Sequence, residues 1–244
     1  MTDPSPDLSE LEMAFAKDPS RFLALSSAYL QQGRYMEAMV VAKKGIKSQP
    51  DSVEGRLLLA RVYHEQGKLP KAMDEVRALL AQRSDVADGH FLLARAIGQT
   101  ALTKGKKERI RLGGEVRSEA LRAIELNPKH DGAYHVLGRW NAEVMRLSGF
   151  SRFFARQFLG GDIFKEASWA AAISNMERAV ELDSSRITHR LDLARVYIDR
   201  KRYTDARRQL EAVEALPVRD FEDPRYKEQA AVLLQRIADK KDAS

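Results

Sequence analysis

The chain reads as an all-α solenoid of about five helix-turn-helix repeats, with two mid-repeat insertions and a C-terminal capping helix. Three observations predict this. Residues 22–50 (FLALSSAYLQQGRYMEAMVVAKKGIKSQP) lie over residues 56–84 (RLLLARVYHEQGKLPKAMDEVRALLAQRS) without a gap at an offset of 34, and a fixed period of that size marks stacked helical hairpins. The composition is rich in Ala, Leu, Arg, Glu and Lys, with 14 Gly, 8 Pro and 7% aromatics. It favours helix over strand because straight side chains lose little rotamer freedom there. Finally, short polar helices are predicted at both ends, over 9–18 and 223–240, as a stack needs caps with a wet outer face.

One continuous domain, 1–244, is expected. After a leading helix over 9–18 come repeat 1 (19–52) and repeat 2 (53–86), each with apolar residues at helical spacing. Gly33 and Gly67 end the first helix of each pair, and small Ala38 and Ala72 let the second approach closely. Together with Leu25, Leu59, Tyr29, Tyr63 and the closing Pro50, this pattern resembles the tetratricopeptide repeat (TPR). Repeat 3 (87–130) opens with HFLLARAIG and closes with SEALRAIELNP; repeat 4 (131–186) opens with YHVLGRW and closes with SNMERAVELDSS. Against the 34-residue period they carry about 10 and about 22 extra residues, expected as added helix or loop. The glycine pairs at 113 and 160 are read as turns. Repeat 5 (187–220) restores the pattern through Leu193, Ala194, Tyr197, Tyr203 and Ala206, with Lys201 where the turn glycine belongs. A capping helix and tail (221–244) follow, with Pro224 suited to a first helical turn.

Several function classes are excluded. The chain has no cysteine, which removes disulfides, thiolate metal ligands and thiol nucleophiles and fits a reducing compartment. The acidic start MTDPSPDLSELEMAFAKDP is no secretory signal, and nowhere do eighteen apolar residues run together, so a soluble cytoplasmic protein is expected. His64, His90, His130, His135 and His189 are scattered without metal-ligand spacing, and no phosphate loop, nucleophile elbow or dinucleotide fingerprint occurs. No enzyme activity, metal or cofactor is predicted. The charge of +6 comes from 41 basic and 35 acidic residues, largely interspersed. The basic run holding Lys104, Lys106, Lys107, Arg109 and Arg111 has no interleaved aromatics, and reads as a solvated face rather than a nucleic-acid contact.

From about 87 to 236 a second resemblance is carried by RIRLGGEVRSEALRAIELNPKH (109–130), AYHVLGRWNAEVMRLSGFSRFFARQFLGG (133–161) and ALPVRDFEDPRYKEQA (215–230). These segments are similar, in the same order, to the TPR domain of the regulator of microtubule dynamics family. The resemblance implies an adaptor fold. For one family member at organelle contact sites it also implies phospholipid binding.

TPR arrays bind on the concave face made by the first helix of each unit, and their ninth repeat position faces that groove. The resemblance therefore places Arg61, Arg95, Arg139 and Arg195 in a ladder, with Leu57, Phe91, His135 and Leu191 beside it. Guanidiniums one repeat apart suit carboxylates or phosphates, because a planar fork of donors grips either bidentately. Glu54, Asp88, Glu65, Glu143 and Asp199 are equally placed to neutralise them. In the second insertion Phe150, Phe153, Phe154 and Phe158 recur at helical spacing opposite Arg152 and Arg156. That is a short basic amphipathic helix, which buries as core or meets an anionic membrane. Two readings follow: a scaffold holding a partner protein's segment, an acidic one being suited, in the groove, or a protein that binds anionic phospholipid through the arginines and the Phe-rich insertion.

Overall fold

The computed structural model describes residues 7–147 and 165–242. Among the described residues are twelve α-helices and no strand. They are α1 (Leu8–Lys17), α2 (Phe22–Gln31), α3 (Tyr35–Ser48), α4 (Val53–Glu65), α5 (Leu69–Gln82), α6 (Ala87–Leu102), α7 (Lys106–Leu126), α8 (Asp131–Arg146), α9 (Trp169–Leu182), α10 (Ile187–Asp199), α11 (Tyr203–Ala215) and α12 (Asp223–Arg236). Ten of them form the hairpins α2/α3, α4/α5, α6/α7, α8/α9 and α10/α11, with α1 leading and α12 packed on α10 and α11 at the end.

Local chemistry sets where the helices start and stop. Ser52 and Ser168 accept hydrogen bonds from the Gly55 and Ala171 amides, each at 3.0 Å, and so satisfy otherwise orphaned donors of the first turns of α4 and α9. At the other end, the Arg34 amide donates to the Tyr29 carbonyl across Gly33, and the Lys68 amide to the Tyr63 carbonyl across Gly67, both at 2.9 Å. This left-handed closure needs positive φ, found at +73° and +70°, which glycine adopts without strain. Lys201 makes the same turn, with the Arg202 amide donating to Tyr197 at 2.9 Å, but at φ +56° with a Cβ attached.

Packing follows from the small residues. Ala38, Ala72, Ala172 and Ala206 are all buried where the second helix of a hairpin meets the first. Gly138 goes further: a Cβ there would lie 2.5 Å from Met176 Cγ and 3.1 Å from the Met176 backbone nitrogen, so α8 and α9 touch almost backbone to backbone. Between these contacts sit fully buried Phe22, Leu25, Ile97, Met176, Leu193 and Tyr197, each contributing roughly 1.5–3 kcal/mol by leaving water.

The first insertion lengthens helices rather than adding a loop, giving α6 16 residues and α7 21. Gly113 and Gly114, expected in a turn, lie inside α7. Good helix formers on both sides outweigh the roughly 1 kcal/mol cost of each glycine, and the Trp140 indole donates to the Gly113 carbonyl at 2.7 Å. Two arginines of the basic run are engaged locally. Arg109 donates to the carbonyls of Ala101 (3.3 Å) and Leu102 (3.0 Å) at the end of α6, groups the helix leaves unpaired, and Arg111 bridges Glu108 and Glu115 at 2.7 Å each. The Phe-rich insertion with Phe150, Arg152, Phe153, Phe154, Arg156 and Phe158, and the glycine pair at 160, fall outside the described residues. No helix among the described residues is long and apolar enough to cross a membrane.

Candidate functional site in the helical groove

The first helices of successive hairpins, α4, α6, α8 and α10, carry the four arginines. Leu57 and Leu191 beside them are buried in the core, so they hold the helices together. Phe91 is half-buried, its ring 4.7 Å from that of His130 and packed against Gly132, where a Cβ would meet it at 2.7 Å.

The ladder is unevenly neutralised. Arg95 donates to Glu65 Oε1 at 2.9 Å. Asp192 serves both Arg195 (2.6 Å) and Arg139 (3.5 Å), while Arg195 also reaches Gln229 Oε1 at 2.6 Å. One carboxylate thus stands against two guanidiniums. Arg61 is exposed at its surface and has no ion pair or hydrogen bond among the described residues. Its pKa is nevertheless lowered, first by the protein surrounding it and further by the like charges of Arg95 and Arg186, with Asp88 and Glu65 acting the other way. Of the other carboxylates expected here, Glu143 and Asp199 pair with Arg146, at 2.5 and 2.6 Å, and Asp88 goes to His130.

Histidines and aspartates stitch neighbouring first helices together, which spacing alone did not reveal. The His130 Nε2–H donates to Asp88 at 3.1 Å while its Nδ1 accepts from the Ala133 amide at 3.2 Å. His189 donates to Asp131 at 2.8 Å, and His135 to Asp192 at 3.0 Å. The rings of His135 and His189 lie 4.6 Å apart. Burial pushes the His135 pKa down to about 4, against the pull of Asp192, so its neutral ring serves as a donor near neutral pH. Burial acts to raise the Asp192 pKa, but the His135 hydrogen bond and the charges of Arg139 and Arg195 win and hold it well below the usual carboxylate range. The His189 bond lowers Asp131 to about 2. Glu65 is also held at about 2, where His64 and Arg95 overcome its burial. No group of side chains among the described residues is arranged to hold a metal.

Asp192 was legible in one respect: it stands three residues before Arg195 on the same helix face, a spacing that brings side chains together. Asp131, Arg186 and the histidine bonds depend on how one hairpin seats on the next.

Solved structures of low identity share the fold. A thermophilic TPR protein from Thermus thermophilus is 19% identical with a TM-score of 0.69, over 88% of this chain and 99% of that one. The human IFIT1 dimer with m7Gppp-AAAA is 15% identical with a TM-score of 0.66, over 94% of this chain and 49% of that one. No curated protein matches the chain. A tetratricopeptide repeat model matches residues 29–96, and such repeats generally serve as protein-interaction scaffolds rather than catalysts. The model described as regulator of microtubule dynamics protein 1-3 matches residues 66–238, more than half of the chain, and the chain belongs to that family.

Proposed function

We propose that the chain is a non-enzymatic scaffold whose concave face holds an extended, acidic segment of a partner protein. The carrying observation is the uneven ladder: among the described residues Arg61 has no ion pair or hydrogen bond, and Arg139 and Arg195 share the carboxylate of Asp192. Bound carboxylates would complete Arg61 with a charge-assisted bond and supply the missing counter-charge near Arg139, two repeats further along an extended peptide. Hairpins stacked with a small rotation present such a surface without rearrangement.

The test is binding to an array of acidic and neutral peptides by wild type, Arg61→Gln and Arg178→Gln, the last on the outer helix α9. A charge-assisted bond contributes about 1.5–3 kcal/mol, so Arg61→Gln should bind acidic peptides at least tenfold more weakly, with Arg178→Gln unchanged. Equal binding by all three would overturn the assignment. An anionic phospholipid headgroup offers the same chemistry to the same guanidiniums. Flotation with anionic liposomes that Arg61→Gln loses, together with no peptide preference, would move the site to that ligand.

A further inference from the structure

Apart from the groove, one contact joins parts of the chain that no repeat logic requires. Among the described residues, extensive helix packing is confined to helices adjacent or next-but-one in the chain. Yet the segment linking α11 to α12 reaches the turn between α2 and α3, at the opposite end of the array. The Phe221 amide donates to the Gln31 carbonyl at 3.0 Å. The Phe221 ring lies on Gly33 so closely that a Cβ there would sit 2.7 Å from its Cγ, and the Tyr35 ring meets it edge-on, 6.5 Å away at 84°. The Tyr35 hydroxyl pKa is raised first by burial and then by Glu65, Glu222 and Tyr226, with Arg225 acting the other way, so groups around the start of α12 lie close to it.

This contact is slender compared with the interior. It consists of one backbone hydrogen bond and a ring that remains 59% exposed, while each hairpin is held by a continuous apolar core. It can therefore part without unfolding any hairpin. Parting it would free the first hairpin from the segment before α12, the two parts it ties together across the array.

We propose that residues 216–222 form a strap that clasps the α2–α3 turn, holds the two ends of the array together, and on release widens the concave groove. Gly33 thus has two tasks, the left-handed turn and the seat for the ring. The strap stands whether the groove takes a peptide or a headgroup, because it concerns the ligand-free chain.

The absence of native cysteine makes the test direct. Spin labels at Gln32→Cys and Val218→Cys, both exposed, report the strap distance by pulsed electron resonance in the full chain. A second pair, Gln32→Cys with Lys71→Cys, reports neighbouring hairpins. The unmutated background should show one short, narrow strap distance. Adding Phe221→Ala should make a longer component the major one while the 32–71 distance stays as it was, and Gly33→Ala should act in the same direction. An unchanged strap distance in Phe221→Ala would overturn the proposal. So would a long, broad distance in the unmutated background, or lengthening of both pairs, which would make Phe221 a general structural residue.

Discussion

His135 offers a perturbation whose effect can be worked through. Its ring donates to Asp192, stacks near His189 and faces Arg139, and burial lowers its pKa to about 4 against roughly 6.5 in an unfolded chain. The folded state therefore prefers the neutral ring. That contribution is complete above pH 6.5 and is lost as pH falls toward 4, because the unfolded chain takes up the proton first. At 1.36 kcal/mol per pKa unit the full loss is about 3–4 kcal/mol. The carboxylates Asp131, Glu65 and Asp192 are shifted down, so their contributions are present above about pH 4 and fail only below it; the two windows separate. In His135→Gln the amide keeps a donor for Asp192 but does not titrate. Denaturant midpoints measured every half unit from pH 8 to 4.5 should fall steeply for wild type below 6.5 and much less for the variant. A residual slope is expected from His64, whose pKa burial also lowers. Parallel profiles for the two proteins would refute the reasoning, as would an NMR titration of His135 centred near 6.5.

Two further predictions concern the frame. Gly138→Ala places a methyl 3.1 Å from the Met176 backbone nitrogen and 3.2 Å from the Ala172 carbonyl oxygen, atoms that cannot swing aside, and should cost about 1–3 kcal/mol or more; an unchanged melting temperature would show that α8 and α9 stand further apart. Lys201→Gly relieves a left-handed residue, worth roughly 1–2 kcal/mol, and gives back about half in unfolded-chain entropy. A net gain of about 0.5–1 kcal/mol, or roughly 1–4 °C, should appear in thermal melts, and a lower melting temperature would contradict it.

The frame was largely legible in the sequence because its rules are local. The 34-residue offset, the turn glycines and the small alanines each act within one hairpin, and even Lys201 did not hide its turn, since Tyr197, Tyr203 and Ala206 kept the register. Gly113 and Gly114 misled because a glycine pair also signals a turn when nothing shows the helix continuing through it. That the four arginines recur on the first helix of successive hairpins was legible for the same reason as the frame. Their pairing was not: of the carboxylates named from sequence, only Glu65 pairs with a ladder arginine, while Asp192 takes two, Arg195 on its own helix and Arg139 on the preceding hairpin. Which acid reaches which base depends on the rotation between hairpins, a quantity carried by many side chains at once. The contact of Phe221 with Gly33 is further still from local pattern, since it depends on the curvature of the whole array.

The central claim, that partners are held on the concave face, is tested most directly by site-specific photo-crosslinking in cells. A photoreactive phenylalanine analogue is placed at Arg139 in the groove, half exposed at 50%, or at Arg178 on the outer helix α9, 45% exposed. The account predicts a discrete protein adduct from position 139, lost when Arg61→Gln is added, and none from position 178. Adducts of equal yield from both positions, or from 178 alone, would contradict it.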